Sequence, residues 1–329
     1  MLQYILRRLL LMVPTFFVIS LVAFAIIQLP PGDFATSYVA GLAAQGNQVS
    51  QDAIETLRKT YGLGDPIPIQ YIKWMQGILT RGDFGLAFDL REPVSKVIWE
   101  RVWLTVALSL GSVIITWMIA FPIGIYSAVR QYSLGDYFFT LLGFIGIAVP
   151  SFLLALVLMY LQFKYFNKTI GGLFSDEFLS APWSLARIWD LIQHLWIPVL
   201  LLAFGGTAEL IRIMRANLLD EMRKPYVVTA RSKGLPEWKV LFKYPVRLAL
   251  NPFVSTIGWT LPYLVSGSII LSVVMNLPTT GPMLLRALQV QDMYLAGAII
   301  MILSLLTIIG TLVSDVLLAW LDPRIRFHK

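Results

Sequence analysis

The sequence predicts an all-α integral membrane protein that crosses a bilayer six times. Of its 329 residues, 57% are hydrophobic and only 14% are charged, whereas a soluble domain carries about 25% charged residues. The hydrophobic residues are clustered in uncharged runs, and a bilayer core about 30 Å thick needs about 20 such residues per helix. Because lipid offers no hydrogen bonds to the backbone, each run is expected to be a helix.

Six uncharged runs account for the predicted crossings. The first lies within residues 1–30 and precedes a core of five. The fifth is too long for one crossing, and Asn276 to Pro282 interrupt it with prolines and a glycine. We expect that helix to end near Met275 and a short external element to follow. The runs are Leu9–Leu29, Val102–Val129, Tyr137–Phe163, Leu191–Ala208, Leu248–Leu285 and Met293–Ser314.

The distribution of charge predicts the orientation. If the N-terminus is cytoplasmic and each run crosses once, the cytoplasmic segments hold 15 of the 26 basic residues but 7 of the 19 acidic ones. This asymmetry follows the positive-inside rule and places both termini in the cytoplasm. Residues 31–100 would then form an external collar. The five-helix core would cover residues 101–320, with a cytoplasmic loop at 212–247, and residues 321–329 would be a cytoplasmic tail.

Several chemistries are excluded by motif. The sequence has no cysteine, which rules out thiol catalysis and thiolate metal sites. The two histidines, His194 and His328, form no H-E-x-x-H motif, and no glycine precedes a lysine, so there is no P-loop. We expect no catalysis, metal or cofactor in this chain, and any ATP that drives it would be bound by another chain. The net charge of +7 is explained by its sidedness, so nucleic acid is not an expected partner.

The cytoplasmic loop carries the strongest local signals. Pro225 suits the first turn of a helix, and Gly234 suits the left-handed position after a helix ends. Pro236 then starts a second helix, with Glu237 in its first turn favoured by the helix dipole, and Pro245 leads into the fifth run. The prediction is two short helices joined by a glycine. The loop is either an anchored basic turn or a rigid elbow that docks on a cytoplasmic partner.

The elbow resembles a known docking loop. Residues 229–235 read T-A-R-S-K-G-L, which is similar to the "EAA" loop of permease subunits of binding-protein-dependent ABC importers, in the form typical of the dipeptide/oligopeptide/nickel subfamily. The similarity also includes residues 4–10, Gly82–Gly85 with Pro93 and Val94, Val149–Phe152 and Leu321–Arg326. The chain departs from the general pattern at Val228, which stands where that pattern has glutamate, so Arg231 or Lys233 would have to make the contact of that glutamate.

The resemblance implies a type I ABC importer permease of the MetI-like fold, with an extra N-terminal helix and the external collar, in a prokaryotic cell membrane. It implies a second homologous permease subunit, two ATPase subunits that hold ATP and Mg²⁺, and an extracytoplasmic solute-binding protein. The elbow would be the coupling helix, moved when ATP closes the ATPase pair. The residues expected to dock on the ATPase are Thr229, Ala230, Arg231, Ser232, Lys233, Gly234 and Leu235.

Two features near the membrane leave alternatives open. Glu209 follows the fourth run and lies three residues before Arg212; we favour an ion pair between them over a functional intramembrane charge. Four prolines within the runs are candidate gating points, although an ordinary kink is the preferred explanation for each. They are Pro122, Pro150, Pro198 and Pro262.

Other functions compete with the importer subunit. A secondary carrier would show inverted repeats and buried coupling charges, and it would have no use for the elbow. A non-transporting scaffold would be favoured if disruption of the elbow, for example by Gly234→Pro, left uptake intact. The subfamily carries peptides, nickel chelates, opines, glutathione and oligosaccharides. We favour peptides and keep oligosaccharides as the second candidate, because the 10 tryptophans and 13 tyrosines suit either sugar stacking or membrane-interface belts.

Overall fold

The structure, a computed structural model, describes residues 2–29, 31–44, 51–166, 171–179, 181–255 and 268–321. Pro262, the tail after Leu321 and His328 therefore lie outside the described residues. The elements are α1 (Leu2–Gln28), α2 (Phe34–Ala44), α3 (Gln51–Tyr61), α4 (Ile67–Arg81), β1 (Leu86–Ala87), β2 (Glu92–Pro93), α5 (Val94–Val129), α6 (Leu134–Ala148), α7 (Ser151–Phe166), α8 (Leu185–Met222), α9 (Pro225–Ser232), α10 (Glu237–Lys243), α11 (Pro245–Ser255), α12 (Thr280–Gln289) and α13 (Met293–Leu321).

Four described helices are long and apolar enough to cross a membrane. They include Arg8–Gln28, Val94–Val129, Leu185–Met222 and Met293–Leu318. The pair α6 and α7 adds a fifth candidate if it is one broken crossing. The fifth predicted run lies partly outside the described residues, at 256–267, so the count of six stays a prediction. Its expected end is confirmed, because helical residues 268–274 stop at a turn at Met275 and Asn276.

The third predicted run is not the single helix that we expected. The chain bends by 97° between α6 and α7, at Val149 and Pro150. A residue before proline is driven out of the helical region, and Val149 has φ −102° and ψ 117°. Pro122 and Pro198, in contrast, lie inside continuous helices. Of the described prolines that we singled out, Pro150 alone coincides with a break.

The chain forms two compact units. The collar unit comprises residues 6–105 and 278–308, and the core unit comprises residues 1–5, 106–277 and 309–329.

The collar unit is organised around a buried carboxylate. The side chain of Asp292 accepts hydrogen bonds from the backbone N–H of Phe88 at 2.6 Å and of Leu295 at 3.1 Å. Asp292 has no exposed surface, and burial raises the pKa of its carboxyl to about 6. Because Phe88 follows β1 and Leu295 lies in the first turn of α13, one side chain ties the hairpin to that helix.

Aromatic packing and a further hydrogen bond also hold the collar unit together. The rings of Phe34 and Phe88 lie 4.9 Å apart, and those of Phe88 and Tyr294 lie 5.2 Å apart. The buried hydroxyl of Thr105 accepts a hydrogen bond of 3.0 Å from the backbone N–H of Thr280. The start of α12 is thereby fixed against α5, through residues that are 175 positions apart.

The core unit is built on α8. Helices α6 and α11 pack along it, and the buried side chains of α8 include Leu210, Met214 and Leu218. A bidentate ion pair joins α6 to α8, since Arg215 Nε donates to Asp136 Oδ1 at 3.1 Å and Arg215 Nη2 donates to Asp136 Oδ2 at 3.0 Å. The side chain of Asp136 is only 4% exposed, so this pair lies inside the helix packing.

Candidate functional site: a helical elbow and an intramembrane carboxylate

The elbow after α8 has the predicted helix–glycine–helix form. Lys224 is extended and Pro225 occupies the first turn of α9, which ends at Ser232. Gly234 has φ +74°, a left-handed conformation that costs glycine little. Pro236 precedes α10, which begins at Glu237. The local prediction for residues 225–245 is confirmed, because proline and glycine determine the backbone at each boundary.

The elbow has a small hydrophobic core of its own. Val227, Ala230 and Val240 are 0–4% exposed and pack together, and Tyr226, Leu235 and Tyr244 cover them. Ala230 is thus a packing residue that holds α9 against α10. Of the seven residues predicted to dock, Ala230 is the one that is fully buried, whereas Leu235 is half-buried against the same core.

An ion pair spans the two helices of the elbow. Arg231 Nε donates to Glu237 Oε1 at 2.9 Å, and Arg231 Nη2 donates to Glu237 Oε2 at 3.3 Å. Both side chains are largely exposed, at 46% and 71%, so the pair adds less than about 1 kcal/mol to stability. Arg231 therefore has an intramolecular partner, whereas Lys233 is exposed and forms no ion pair within the described residues.

The remaining predicted docking residues lie at the surface. Thr229, Ser232 and Gly234 are exposed and Leu235 is half-buried. The hydroxyls of Thr229 and Ser232 donate to backbone carbonyls one turn earlier, at 3.0 and 3.1 Å. Those two side chains already use their donor, so a partner would meet a surface defined mainly by shape.

Sequence reasoning missed three exposed apolar side chains on the elbow. Val228, Trp238 and Phe242 are 55%, 68% and 53% exposed. The spacing of Trp238 and Phe242, one helical turn apart in α10, is the signal that would have predicted a common face. Large exposed aromatic side chains are typical anchors of protein interfaces.

The elbow is fastened to the end of α8 by a tyrosine. The Tyr226 hydroxyl donates to the carboxylate of Glu221. Burial and this neighbouring carboxylate raise the pKa of Tyr226 above its usual value, so the phenol stays protonated as a donor. The last turn of α8 and the first turn of α9 are joined through this contact in addition to the chain itself.

Glu209 does not form the ion pair that we expected. Within the part of the chain that the structure describes, no ion pair joins it to Arg212, whose side chain is exposed. The side chain of Glu209 is half-buried and lines a cavity of about 190 Å³ at the α6–α7 break. The prediction of an i,i+3 pair is therefore wrong, and Glu209 is instead one of the residues that line this cavity.

Four long apolar helices, among them a continuous α8 that ends at a basic helical elbow, define a multi-pass membrane protein. Residues 120–327 match the family "Binding-protein-dependent transport system inner membrane component", and residues 1–109 match the N-terminal family of the same systems. The chain belongs to this family, which has the MetI-like fold.

Individual relatives are similar along almost the whole chain. An oligopeptide transport system permease protein of Bacillus subtilis is 35% identical over 99% of this chain and 100% of the relative. A glutathione transport system permease protein of Salmonella typhimurium is 32% identical over 99% of this chain and 100% of the relative. A dipeptide transport system permease protein of Alkalihalophilus pseudofirmus is 28% identical over the same shares.

The family fixes the class of function. The chain is a permease subunit of a binding-protein-dependent ABC importer, and the resemblance read from the elbow is confirmed. It is a membrane component of a transport system, which works with a binding protein and with ATPase components. A stand-alone secondary carrier and a non-transporting scaffold are disfavoured by this membership.

Proposed function

We propose that this subunit imports peptides delivered by an extracytoplasmic binding protein. The observation that carries the proposal is similarity along 99% of the chain to proteins named for oligopeptide, dipeptide and glutathione transport. Those three solute classes share a peptide backbone. A second homologous permease and two ATPase chains complete the complex, and the ATPases bind ATP and Mg²⁺.

The elbow is the part of this chain that docks on an ATPase. Its stiffness supports the role, because a helix pair with its own core, a glycine joint and an internal ion pair presents one shape. Thr229, Arg231, Ser232, Lys233 and Leu235 form the docking surface, with Gly234 as the joint and Ala230 beneath it. Trp238 and Phe242 extend this surface.

The topology that we propose has six crossings with both termini in the cytoplasm of a prokaryotic cell. Four long helices and the bent α6–α7 pair support five of the crossings. The uncharged run Leu248–Leu285 would supply the sixth. The excess of basic residues in the cytoplasmic segments supports this orientation. The collar of residues 31–100 is then external, and so is α12, where a binding protein approaches.

Reconstitution tests the proposal directly. Liposomes that contain the complete complex and the binding protein should accumulate a labelled tripeptide only when ATP is inside with the ATPases. Uptake of an oligosaccharide such as maltotriose in place of the peptide would refute the peptide assignment. Uptake without any ATPase chain would refute the importer mechanism itself.

Matched glycine variants test the elbow. Gly234 and Gly62 have φ of +74° and +67°, neither has a neighbour within 4 Å of an added Cβ, and each donates its N–H to a carbonyl three residues earlier. Proline requires a φ near −65° and has no N–H, so both substitutions distort the backbone equally. Gly234→Pro should abolish ATP-driven uptake and Gly62→Pro should not. Equal effects would contradict docking by the elbow.

A further inference from the structure

Three helices line the cavity at the α6–α7 break. It is lined by the end of α6, the start of α7 and the middle of α8, including Gly146, Pro150, Ser151, Gly205, Gly206 and Glu209. Its volume of about 190 Å³ is more than ten times the space that one water requires. The cavity therefore has room for groups of a solute.

Glu209 is the one ionisable side chain among the residues that line this cavity. Two arginines follow Glu209 in α8. Arg212 is exposed, and Arg215 is already paired with Asp136. Helix α6 and the first three turns of α7 contain no lysine or arginine, because the first basic residue of these two helices is Lys164. Among the described residues, no cation neutralises Glu209.

An unneutralised charge within a membrane-spanning helix is costly and is usually tied to function. Glu209 lies six residues before Arg215, about 9 Å along the helix axis from the level of the Asp136 pair. Glu209 lines the cavity beside the middle of α8, about 20 Å before the end of that helix. Its position thus calls for a partner that enters the cavity.

The other groups of the cavity define what such a partner can be. A Cβ on Gly146 would lie 3.0 Å from the Phe204 carbonyl oxygen, and one on Gly205 would lie 3.5 Å from the Gly146 carbonyl oxygen. Helices α6 and α8 are therefore in backbone contact at this wall of the cavity. A carboxylate only accepts hydrogen bonds, whereas a protonated amine donates three and carries the opposite charge.

We propose that Glu209 is a specificity-determining residue that binds the protonated amino group of the solute during translocation. This inference rests on the proposed peptide function, because a peptide brings such a group and a neutral oligosaccharide does not. The cavity accepts the amino terminus of the solute, whose positive charge is the counter-charge that no described residue provides for Glu209.

Two peptides that differ only at the amino terminus test the proposal. Liposomes that contain the complete complex would receive trialanine or N-acetyl-trialanine, each at a concentration that saturates the binding protein. Wild type should transport trialanine faster. Glu209→Gln should lower trialanine uptake about tenfold and leave the acetylated peptide unchanged, as expected for a lost hydrogen bond to a charged group. Asp220→Asn, an exposed carboxylate of the same helix, should keep the wild-type preference.

The outcomes separate this inference from the proposed function. If wild type transports neither peptide, the peptide function fails and the inference fails with it. If wild type transports trialanine and Glu209→Gln lowers both peptides equally, Glu209 acts on the helices and the inference alone is overturned. Unchanged uptake of both peptides by Glu209→Gln also overturns it alone.

A thiol probe provides a test that does not depend on uptake by the glutamine variant. The chain has no cysteine, so Glu209→Cys introduces its single thiol. We expect 2-aminoethyl methanethiosulfonate to label it, and trialanine to slow the labelling during ATP turnover. Ala216→Cys, an exposed position of α8, should show no protection. A thiol at 209 that is unreactive, or equal protection at both positions, would overturn the proposal.

Discussion

The ion pair between Asp136 and Arg215 allows a quantitative test of how the core unit is held together. The two side chains share two hydrogen bonds of 3.1 and 3.0 Å. Asp136 Oδ2 also accepts a hydrogen bond of 3.0 Å from the backbone N–H of Tyr132. The carboxylate is 4% exposed and the guanidinium is 28% exposed. We therefore expect the loss of stability to differ between removal of the Arg215 guanidinium and removal of the Asp136 charge.

The asymmetry follows from what is left behind. Arg215→Met leaves a buried carboxylate without its counter-charge, and breaking a buried pair in this way costs about 3–5 kcal/mol. Asp136→Asn leaves a guanidinium that is partly exposed and can be hydrated, so we expect a smaller loss of about 1–2 kcal/mol. The double variant should lose less than the sum of the single variants, with a coupling of about 1–2 kcal/mol.

The measurement is chemical unfolding of the purified chain in mixed micelles, for the wild type, both single variants and the double variant. The exposed pair of Arg231 and Glu237 is the matched control, because it has the same two-nitrogen geometry at 46% and 71% exposure. The double-mutant cycle on the pair of Arg231 and Glu237 should give a coupling energy below about 1 kcal/mol. A larger loss from Asp136→Asn than from Arg215→Met, or equal couplings in the two cycles, would refute the argument from burial.

Three other predictions concern separate parts of the molecule. Burial raises the pKa of the Asp292 carboxyl to about 6, so the folded collar unit keeps a proton that the unfolded chain releases near pH 4. The free energy of unfolding should therefore fall by up to about 3 kcal/mol as the pH rises from 4 to 6. In unfolding curves, Asp292→Asn should flatten this dependence of stability on pH. Gly124→Ala places a Cβ 2.7 Å from a side-chain carbon of α8 and should cost about 1–3 kcal/mol, whereas Gly143→Ala, with 3.5 Å of room, should be tolerated; equal unfolding midpoints would contradict this. Trp238→Ala should weaken ATPase binding by about 2 kcal/mol, and Trp103→Ala, exposed at 62% on α5, should leave the affinity unchanged in a titration of the permease complex with ATPase.

The boundaries of the elbow were predictable because local chemistry sets them. Pro225 and Pro236 each sit at or before the first turn of a helix, and Gly234 has the positive φ expected after one. These are properties of single residues and their chain neighbours. No distant contact had to be known, and the predicted bounds agree with α9 and α10.

The break at Pro150 was not predictable in the same way. Pro122 and Pro198 carry the same local signal and remain inside continuous helices. A proline removes one hydrogen bond and crowds the preceding turn, but neighbouring helices decide whether the helix bends or ends. At Val149 the extended backbone ends α6, and the surrounding packing that permits this is not encoded in the run itself.

The contacts that sequence reasoning missed join residues far apart in the chain. Asp292 and Phe88 are separated by 204 positions, and Asp136 and Arg215 by 79. Glu209 was misassigned for a related reason. Spacing of three residues permits a pair with Arg212, but Glu209 instead lines the cavity at the bend between α6 and α7.

Helix α8 connects the two candidate sites by itself. It runs without interruption from Leu185 to Met222, and Glu209 lies thirteen residues, about 20 Å, before its end. The segment between them contains neither proline nor glycine, and Arg215 braces it against α6. The proline of this helix, Pro198, precedes Glu209. We therefore expect α8 to carry a displacement of the elbow to the cavity as a rigid movement, and we expect any bending of α8 to occur on the far side of Glu209, nearer to Pro198.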